Sequence, residues 1–349
     1  MFEIAGRPIG LEYPPYVIAE LSANHGGSLK KAKQSITAAA GAGAHAVKIQ
    51  TYTADTMTID CELEDFMIRG GLWDGYKLYD LYKEAETPYE WHPELFAHAQ
   101  DLGVTLFSTP FDETAVELLR SLNAPAYKIA SFELVDLPLI ECVAKASKPM
   151  LMSTGMASEQ EISEALETAR IAGAKDILLF HCISSYPAPL DQANLKMVKT
   201  LRERFQVEVG LSDHTIGPIA SIASVALGAV AIEKHFTISR LDKGPDSEFS
   251  IEPQELQKLV DDTQATWQAS GSGGFQRAKA ETSNLQFRRS LYFVKDVKAG
   301  NLISQSDIKR IRPGYGASPV DQGLFIGKQV QTDVMRGTPA THKALLKTS

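Results

Sequence analysis

The sequence predicts an α/β fold, a (β/α)8 barrel followed by a small C-terminal module. Three observations carry this. Short apolar runs recur along the first three-quarters of the chain, most of them separated by stretches of helical period. The length of 349 residues exceeds one ordinary domain and suits a barrel of about 250 residues with a small module after it. No Gly-rich phosphate turn follows an early strand, although a doubly wound open sheet would usually carry one.

The runs expected as strands are residues 16–21, 46–52, 105–111, 126–131, 149–155, 177–182, 207–214 and 231–237. They are short, apolar and of β type. The clearest helical stretches are residues 28–42, 112–121, 158–172 and 253–269, and residues 218–227 are helix-like. Ser158 and Glu161 have the spacing of a capping box. Two regions break the alternation. Residues 53–88 form a long insert after the second strand, with Phe66, Trp73, Tyr76, Tyr79 and Tyr82; it is too apolar for disorder and reads as a lid. Residues 270–289, with Gly271-Ser272-Gly273-Gly274, read as a linker. The expected division is a barrel over 1–269, the linker over 270–289 and a module over 290–349.

Composition excludes several classes. A hydrophobic content of 44% and a charged content of 22% are those of a soluble globular protein. The net charge of −8 and a pI near 5.6 argue against a nucleic-acid surface. Cys61, Cys142 and Cys182 are widely spaced and odd in number, so they form neither a disulfide framework nor a zinc ribbon. That usage points to a reducing cytoplasm. The start lacks a signal-peptide pattern, and no run approaches the ~20 apolar residues of a membrane span. The expected setting is cytoplasmic, without membrane or nucleic-acid partners.

A barrel turns position along the chain into chemistry, because its active site forms at the C-terminal ends of the strands. Two segments stand out, Leu211-Ser212-Asp213-His214 and Glu233-Lys234-His235-Phe236. Each ends an apolar run. Adjacent parallel strands lie about 4.8 Å apart, so His214 and His235 could converge on one metal ion. A lone His is more often a hydrogen-bonded core or surface residue; two at equivalent strand ends favour a site. The other polar residues expected there are Glu20, Asn24, His25, Lys48, Gln50, Ser108, Thr109, Lys128, Ser131 and Glu133. Ser153, Thr154, Ser184, Ser185, Tyr186, Ser212 and Asp213 complete the ring. Two Lys among hydroxyls suit a phosphate held without a P-loop, since buried Lys is costly unless it meets an anion. One Lys at a strand end could equally be solvated.

These segments resemble the sialic acid synthase family, which condenses phosphoenolpyruvate with an N-acetylated sugar to make nine-carbon 2-keto acids. The resemblance rests on Ile18-Ala19-Glu20 with Asn24-His25-Gly26-Gly27, on Val47-Lys48-Ile49-Gln50-Thr51 and on Phe107-Ser108-Thr109-Pro110-Phe111. It continues through Tyr127-Lys128-Ile129-Ala130-Ser131, Ser153-Thr154-Gly155-Met156, His181-Cys182, Tyr186-Pro187 and the two His segments. The last module, with Arg312-Pro313-Gly314, resembles the family's antifreeze-like (SAF) domain behind its TIM barrel. Gly71-Leu72-Trp73-Asp74-Gly75 and Thr87-Pro88-Tyr89-Glu90-Trp91 resemble the pseudaminic acid synthase branch. The N-acetylneuraminate branch commonly has Asn where this chain has Ser184.

The resemblance implies roles. Lys48, Thr109, Lys128, Ser131, Ser153, Ser184 and Ser212 would hold phosphoenolpyruvate. His214 and His235 would bind a divalent metal. Mn2+ suits two imidazoles better than Mg2+, which favours oxygen ligands, and Co2+ is a further alternative. Glu20, Gln50, Tyr186 and Asp246 would contact the open-chain sugar. Arg312 would reach that sugar from a second subunit, in a domain-swapped homodimer. Glu133 would assist water or stabilise the cationic carbon; the plainer reading is a structural carboxylate paired to Lys. Within the family, an N-acetylneuraminate or legionaminate synthase is the alternative. Outside it stand a Schiff-base aldolase using Lys48, Lys128 or Lys234, and a non-catalytic SAF binding protein.

Overall fold

A computed structural model describes residues 2–71, 73–242 and 244–345; Leu72 of the insert motif lies outside them. Eight parallel strands close into a barrel. They are β1 (Tyr16–Glu20), β2 (Ala46–Thr51), β3 (Thr105–Pro110), β4 (Tyr127–Ile129), β5 (Met150–Ser153), β6 (Ile177–Cys182), β7 (Glu208–Asp213) and β8 (Ala231–His235). The order around the barrel is β8-β1-β2-β3-β4-β5-β6-β7. The (β/α)8 expectation holds, and every expected strand is present.

Alternation along the strands builds two apolar layers. Ile18, Ala46, Phe107, Leu151, Leu178 and Phe180 belong to one cluster, which Phe2, Ile4 and Ile9 of a short N-terminal hairpin join. Val17, Ala19, Val47, Ile49, Leu106 and Met152 belong to the other, together with the inner faces of the helices. Ser158 and Glu161 do cap helix Glu159–Ile171 reciprocally, with Ser158 N donating to Glu161 Oε2 at 2.7 Å. Helix Leu137–Ala144 was not among the clear helical stretches, because its sequence LPLIECVA is apolar on most sides and shows little amphipathic signal.

The register levels the strand ends that carry chemistry. Glu20 lies beside both His235 and Lys48, Gln50 beside Thr109, and Ser212 beside both Cys182 and Glu233. The described residues of the insert over 53–88 are not all loop. They hold helices Ala54–Met57 and Leu78–Ala85, and Tyr82 packs on Tyr52, itself edge-on to Phe111.

The chain divides into two compact units, Met1–Gly271 and Ser272–Ser349. The second pairs Ser290–Phe293 with Ile308–Ile311 over a core that includes Leu291, Phe293, Ile303, Ile308 and Phe325. The stretch read as linker is only partly irregular. Lys279–Phe287 forms a 3-10 helix, and Gly314 N donates to Gln286 O at 2.8 Å within the second unit. Arg312 is exposed. Among the described residues no helix is long and apolar enough to cross a membrane.

Candidate active site

On β8 the alternation puts Glu233 and His235 on one side and Lys234 on the other. Glu233 is the hub of the barrel mouth. Its carboxylate accepts from Lys128 Nζ at 3.0 and 3.3 Å and from Ser212 Oγ at 2.9 Å, and lies 3.3 Å from Lys48 Nζ. Lys48 Nζ also meets Glu20 Oε2 at 2.9 Å and donates to Thr109 Oγ1 at 3.3 Å. All four charged residues are buried, so two cations face two anions out of water. Burial pushes the Glu20 carboxyl up to about 7, with Lys48 pulling the other way. Burial opposes ionisation of Glu233 too, but Lys128 and Lys48 together hold it below the usual carboxylate range. Burial likewise opposes charge on Lys48, which two carboxylates nonetheless hold above its ordinary value. Lys128 has one carboxylate partner, and burial lowers it.

Beside this ring lies a cradle of small polar groups. Ser131 Oγ accepts from Gly155 N at 3.2 Å and sits 3.0 Å from Cys182 Sγ. Cys182 Sγ is 3.8 Å from Ser184 Oγ. A Cβ at position 155 would collide with Ser184 Oγ and come within 2.8 Å of Cys182 Sγ and Ser131 Oγ. Ser153 Oγ is buried without a hydrogen-bond partner. Such a group normally has a partner, and an anion would supply it. Glu133 Oε2 is also buried and unpartnered, and burial pushes that carboxyl up to about 7.

His214 and His235 do converge, with ring centroids 5.4 Å apart. His214 Nδ1 lies 2.9 Å from the Ile183 carbonyl oxygen. Donation there leaves Nε2 as a lone pair. His235 Nδ1 is buried without a hydrogen bond, 3.7 Å from Asp246 Oδ2. Burial lowers His214 to about 4 and His235 well below its ordinary value. Neutral imidazole is the metal-ligating form, so this donor pair fits a divalent cation. Among the described residues no group of three His, Cys, Asp or Glu side chains is placed to hold a metal ion. The remaining positions would fall to water and substrate, as in an open catalytic site.

Aromatic rings wall the His pair. Tyr186 lies 4.5 Å from His214 and 6.1 Å from His235, and Phe249 lies 4.8 Å from His235. Trp73 of the insert stands 5.8 Å from Tyr186 and donates through Nε1 to the Pro245 carbonyl at 3.3 Å. Trp73 and Tyr76 line a cavity of about 500 Å3 with Arg240 and Glu248. Tyr79 instead donates to Asp55 at 3.1 Å.

Several expected residues serve elsewhere. Ser108 Oγ donates to the Ile49 carbonyl, and Thr154 Oγ1 to the Phe180 carbonyl. Asn24 ties the chain after β8, donating to the Phe236 carbonyl and to Ser250 Oγ, each at 2.9 Å. His25 is held by Gly27 N and Thr87, with Trp91 edge-on to its ring. Asp213 is bound to Lys234, and Ser185 to the Pro187 carbonyl. Gln50 is half-buried next to Thr109, and Asp246 is buried near His235. Arg312 lies in the second unit. Glu233, Cys182 and Gly155 had no role assigned from sequence, although all three fall in segments that the sequence singles out.

Comparison with known proteins agrees with this architecture. Residues 35–274 match the NeuB family model, and residues 288–346 match the SAF domain. A pseudaminic acid synthase of Campylobacter jejuni subsp. jejuni is 44% identical over 322 residues, covering 92% of this chain and 94% of that protein. One from Helicobacter pylori is 41% identical over 330 residues, covering 93% and 96%. The crystal structure of an N-acetylneuraminic acid synthetase from Leptospira borgpetersenii, in complex with citrate, superposes with a TM-score of 0.74 at 32% identity, covering 82% of this chain and 95% of that one. By these matches and by its barrel and C-terminal domain, the chain belongs to the NeuB family.

Proposed function

We propose that the chain is a pseudaminic acid synthase. It condenses phosphoenolpyruvate with 2,4-diacetamido-2,4,6-trideoxy-L-altrose and water, giving pseudaminic acid and phosphate. The observation that carries this is the buried Lys48–Glu233–Lys128 chain beside the Ser131, Ser153 and Ser184 cradle, under a neutral His pair. The identity to synthases of that name supports the sugar. A legionaminate synthase using another N-acetylated hexose is the second reading, favoured by a N,N'-diacetyllegionaminic acid synthase of Campylobacter jejuni at 38% identity.

In this reading the phosphate and carboxylate of phosphoenolpyruvate lie against Lys48, Thr109, Lys128, Ser131, Ser153, Ser184 and Ser212. Fixed donors in a dry site bind such an anion strongly. C3 bonds to the aldehyde carbon of the sugar, whose oxygen takes a proton. Water adds at C2, and the C2–O bond to phosphate breaks. Glu20 and Glu133, each with a carboxyl near 7, can take a proton from that water or give one to the sugar oxygen. A divalent cation on His214 and His235, Mn2+ in preference to Mg2+ or Co2+, would supply Lewis-acid polarisation of the aldehyde. Gln50, Tyr186, Asp246 and Trp73 would line the sugar. Arg312 would complete the sugar site of a second copy in a domain-swapped homodimer, in a cytoplasmic setting. A Schiff-base aldolase needs a neutral amine: Lys48 is held charged between two carboxylates and Lys234 is bound to Asp213 and two carbonyls, which leaves Lys128, lowered by burial, as the amine that reading would use.

The test is phosphate release from phosphoenolpyruvate with Mn2+ and a panel of N-acetylated sugars. The 2,4-diacetamido-2,4,6-trideoxyhexose should be consumed more efficiently than N-acetylmannosamine. The reverse order would reject the acceptor assignment, and borohydride trapping of pyruvate on a Lys would reject the reaction class.

A further inference from the structure

Lys234 and Asp213 sit on the side of the sheet opposite the site, one residue from His235 and His214 respectively. They are register partners on β8 and β7. Each side chain is 1% exposed. Lys234 Nζ lies 2.9 Å from Asp213 Oδ2, 2.7 Å from the Thr215 carbonyl oxygen and 3.4 Å from the Asp213 carbonyl oxygen. One ammonium thus grips the backbone on both sides of His214. Asp213 tightens the same turn. Its Oδ1 accepts from Thr215 N at 2.9 Å and Thr215 Oγ1 at 2.8 Å, and its Oδ2 accepts from Ser221 Oγ at 2.5 Å.

A buried ion pair is a poor device for stability alone, since apolar residues of similar volume often do as well. An apolar pair could not, however, tie the two carbonyls that flank His214. The Ile183 carbonyl orients the His214 ring, and the Lys234 contacts orient its backbone.

We propose that the Asp213–Lys234 pair is a positioning clamp. It fixes the end of β7 against β8 so that His214 and His235 keep the spacing at which they share a divalent cation. The inference rests on the metal reading of the His pair. Lys234 therefore acts through the histidines and not as a nucleophile.

The test is Mn2+ titration of metal-free full-length protein, followed by electron paramagnetic resonance, for wild type and D213N/K234M. Met approximates the apolar stem of Lys without its charge, and Asn keeps an acceptor for Thr215. The double variant should melt cooperatively and bind Mn2+ about 10- to 100-fold more weakly, the range seen when partners that orient metal ligands are lost. An unchanged Kd in the folded variant would overturn the clamp and leave the pair a core feature. Wild type that binds no Mn2+ would overturn the metal reading, and the clamp with it. Should the double variant fail to fold, Asp213→Asn takes its place, since it keeps an acceptor for Thr215 but removes the charge that holds Lys234. A smaller weakening is then expected, and an unchanged Kd again rejects the clamp.

Discussion

Glu233 on β8 reaches across the barrel to Lys128 on β4, the strand diametrically opposite, and the two meet at 3.0 Å. The carboxylate stands in the position where two lysines converge. A substrate anion must therefore compete with Glu233 for Lys48 and Lys128, or share them with it.

Glu233→Gln should expose that balance. It leaves two buried ammonium groups facing Glu20 alone. Breaking a buried pair in this way costs roughly 3–5 kcal/mol. Thermal melting should show a large loss in plain buffer and partial recovery in inorganic phosphate or phosphoenolpyruvate. Equal loss with and without anion would mean that the lysines do not form the anion seat.

Gly155→Ala should damage the cradle selectively. The added Cβ enters the space shared by Ser131, Cys182 and Ser184. Loss of one or two hydrogen bonds to a charged ligand corresponds to about 10- to 100-fold in affinity. We expect KM for phosphoenolpyruvate to rise by that order while the sugar KM moves little. A variant with a normal phosphoenolpyruvate KM would place the anion elsewhere.

Much of this site is legible in the sequence because strand period is legible. Lys48, Thr109, Lys128, Ser153, Ser212 and His235 fall at strand ends and on inward positions. Strand-end position alone does not give the facing side, and Ser108, Thr154 and Asp213, though at strand ends, bind the Ile49 carbonyl, the Phe180 carbonyl and Lys234. Counting by two from His235 would have brought Glu233 inward and sent Lys234 outward. Asn24 and His25 lie in a loop, where no period exists to place them. Gly155 carries no side chain, and only the neighbouring atoms reveal its role.

Glu133→Gln should change stability with pH in a defined direction. Burial raises the folded carboxyl from 4.5 to about 7. The folded state therefore favours the neutral form. Its stability contribution is full below the unfolded value and is lost as pH rises through about 7. At pH 8 wild type bears a cost of about 3 kcal/mol that Gln does not. The variant should melt higher than wild type at pH 8, and the gap should close by pH 4.5. A gap independent of pH would show that Glu133 does not titrate in this window.

Trp73→Ala should raise the sugar KM and reduce the preference for the diacetamido sugar, since Trp73 abuts Tyr186 beside the His pair. Tyr79→Phe removes a hydroxyl bound to Asp55 and should be nearly silent, within about 0.5 kcal/mol. Steady-state kinetics on two acceptors separates them. The opposite ranking would move the sugar wall to the outer face of helix Leu78–Ala85.

The most direct measurement uses phosphoenolpyruvate labelled with 18O at the oxygen bridging C2 and phosphorus, incubated with the diacetamido sugar and Mn2+. Mass spectrometry of both products follows the label. The account predicts labelled phosphate and an unlabelled nine-carbon keto acid, because the C2–O bond breaks and water supplies the new oxygen. Label retained in the keto acid, or no phosphate released with any N-acetylated acceptor, would contradict it.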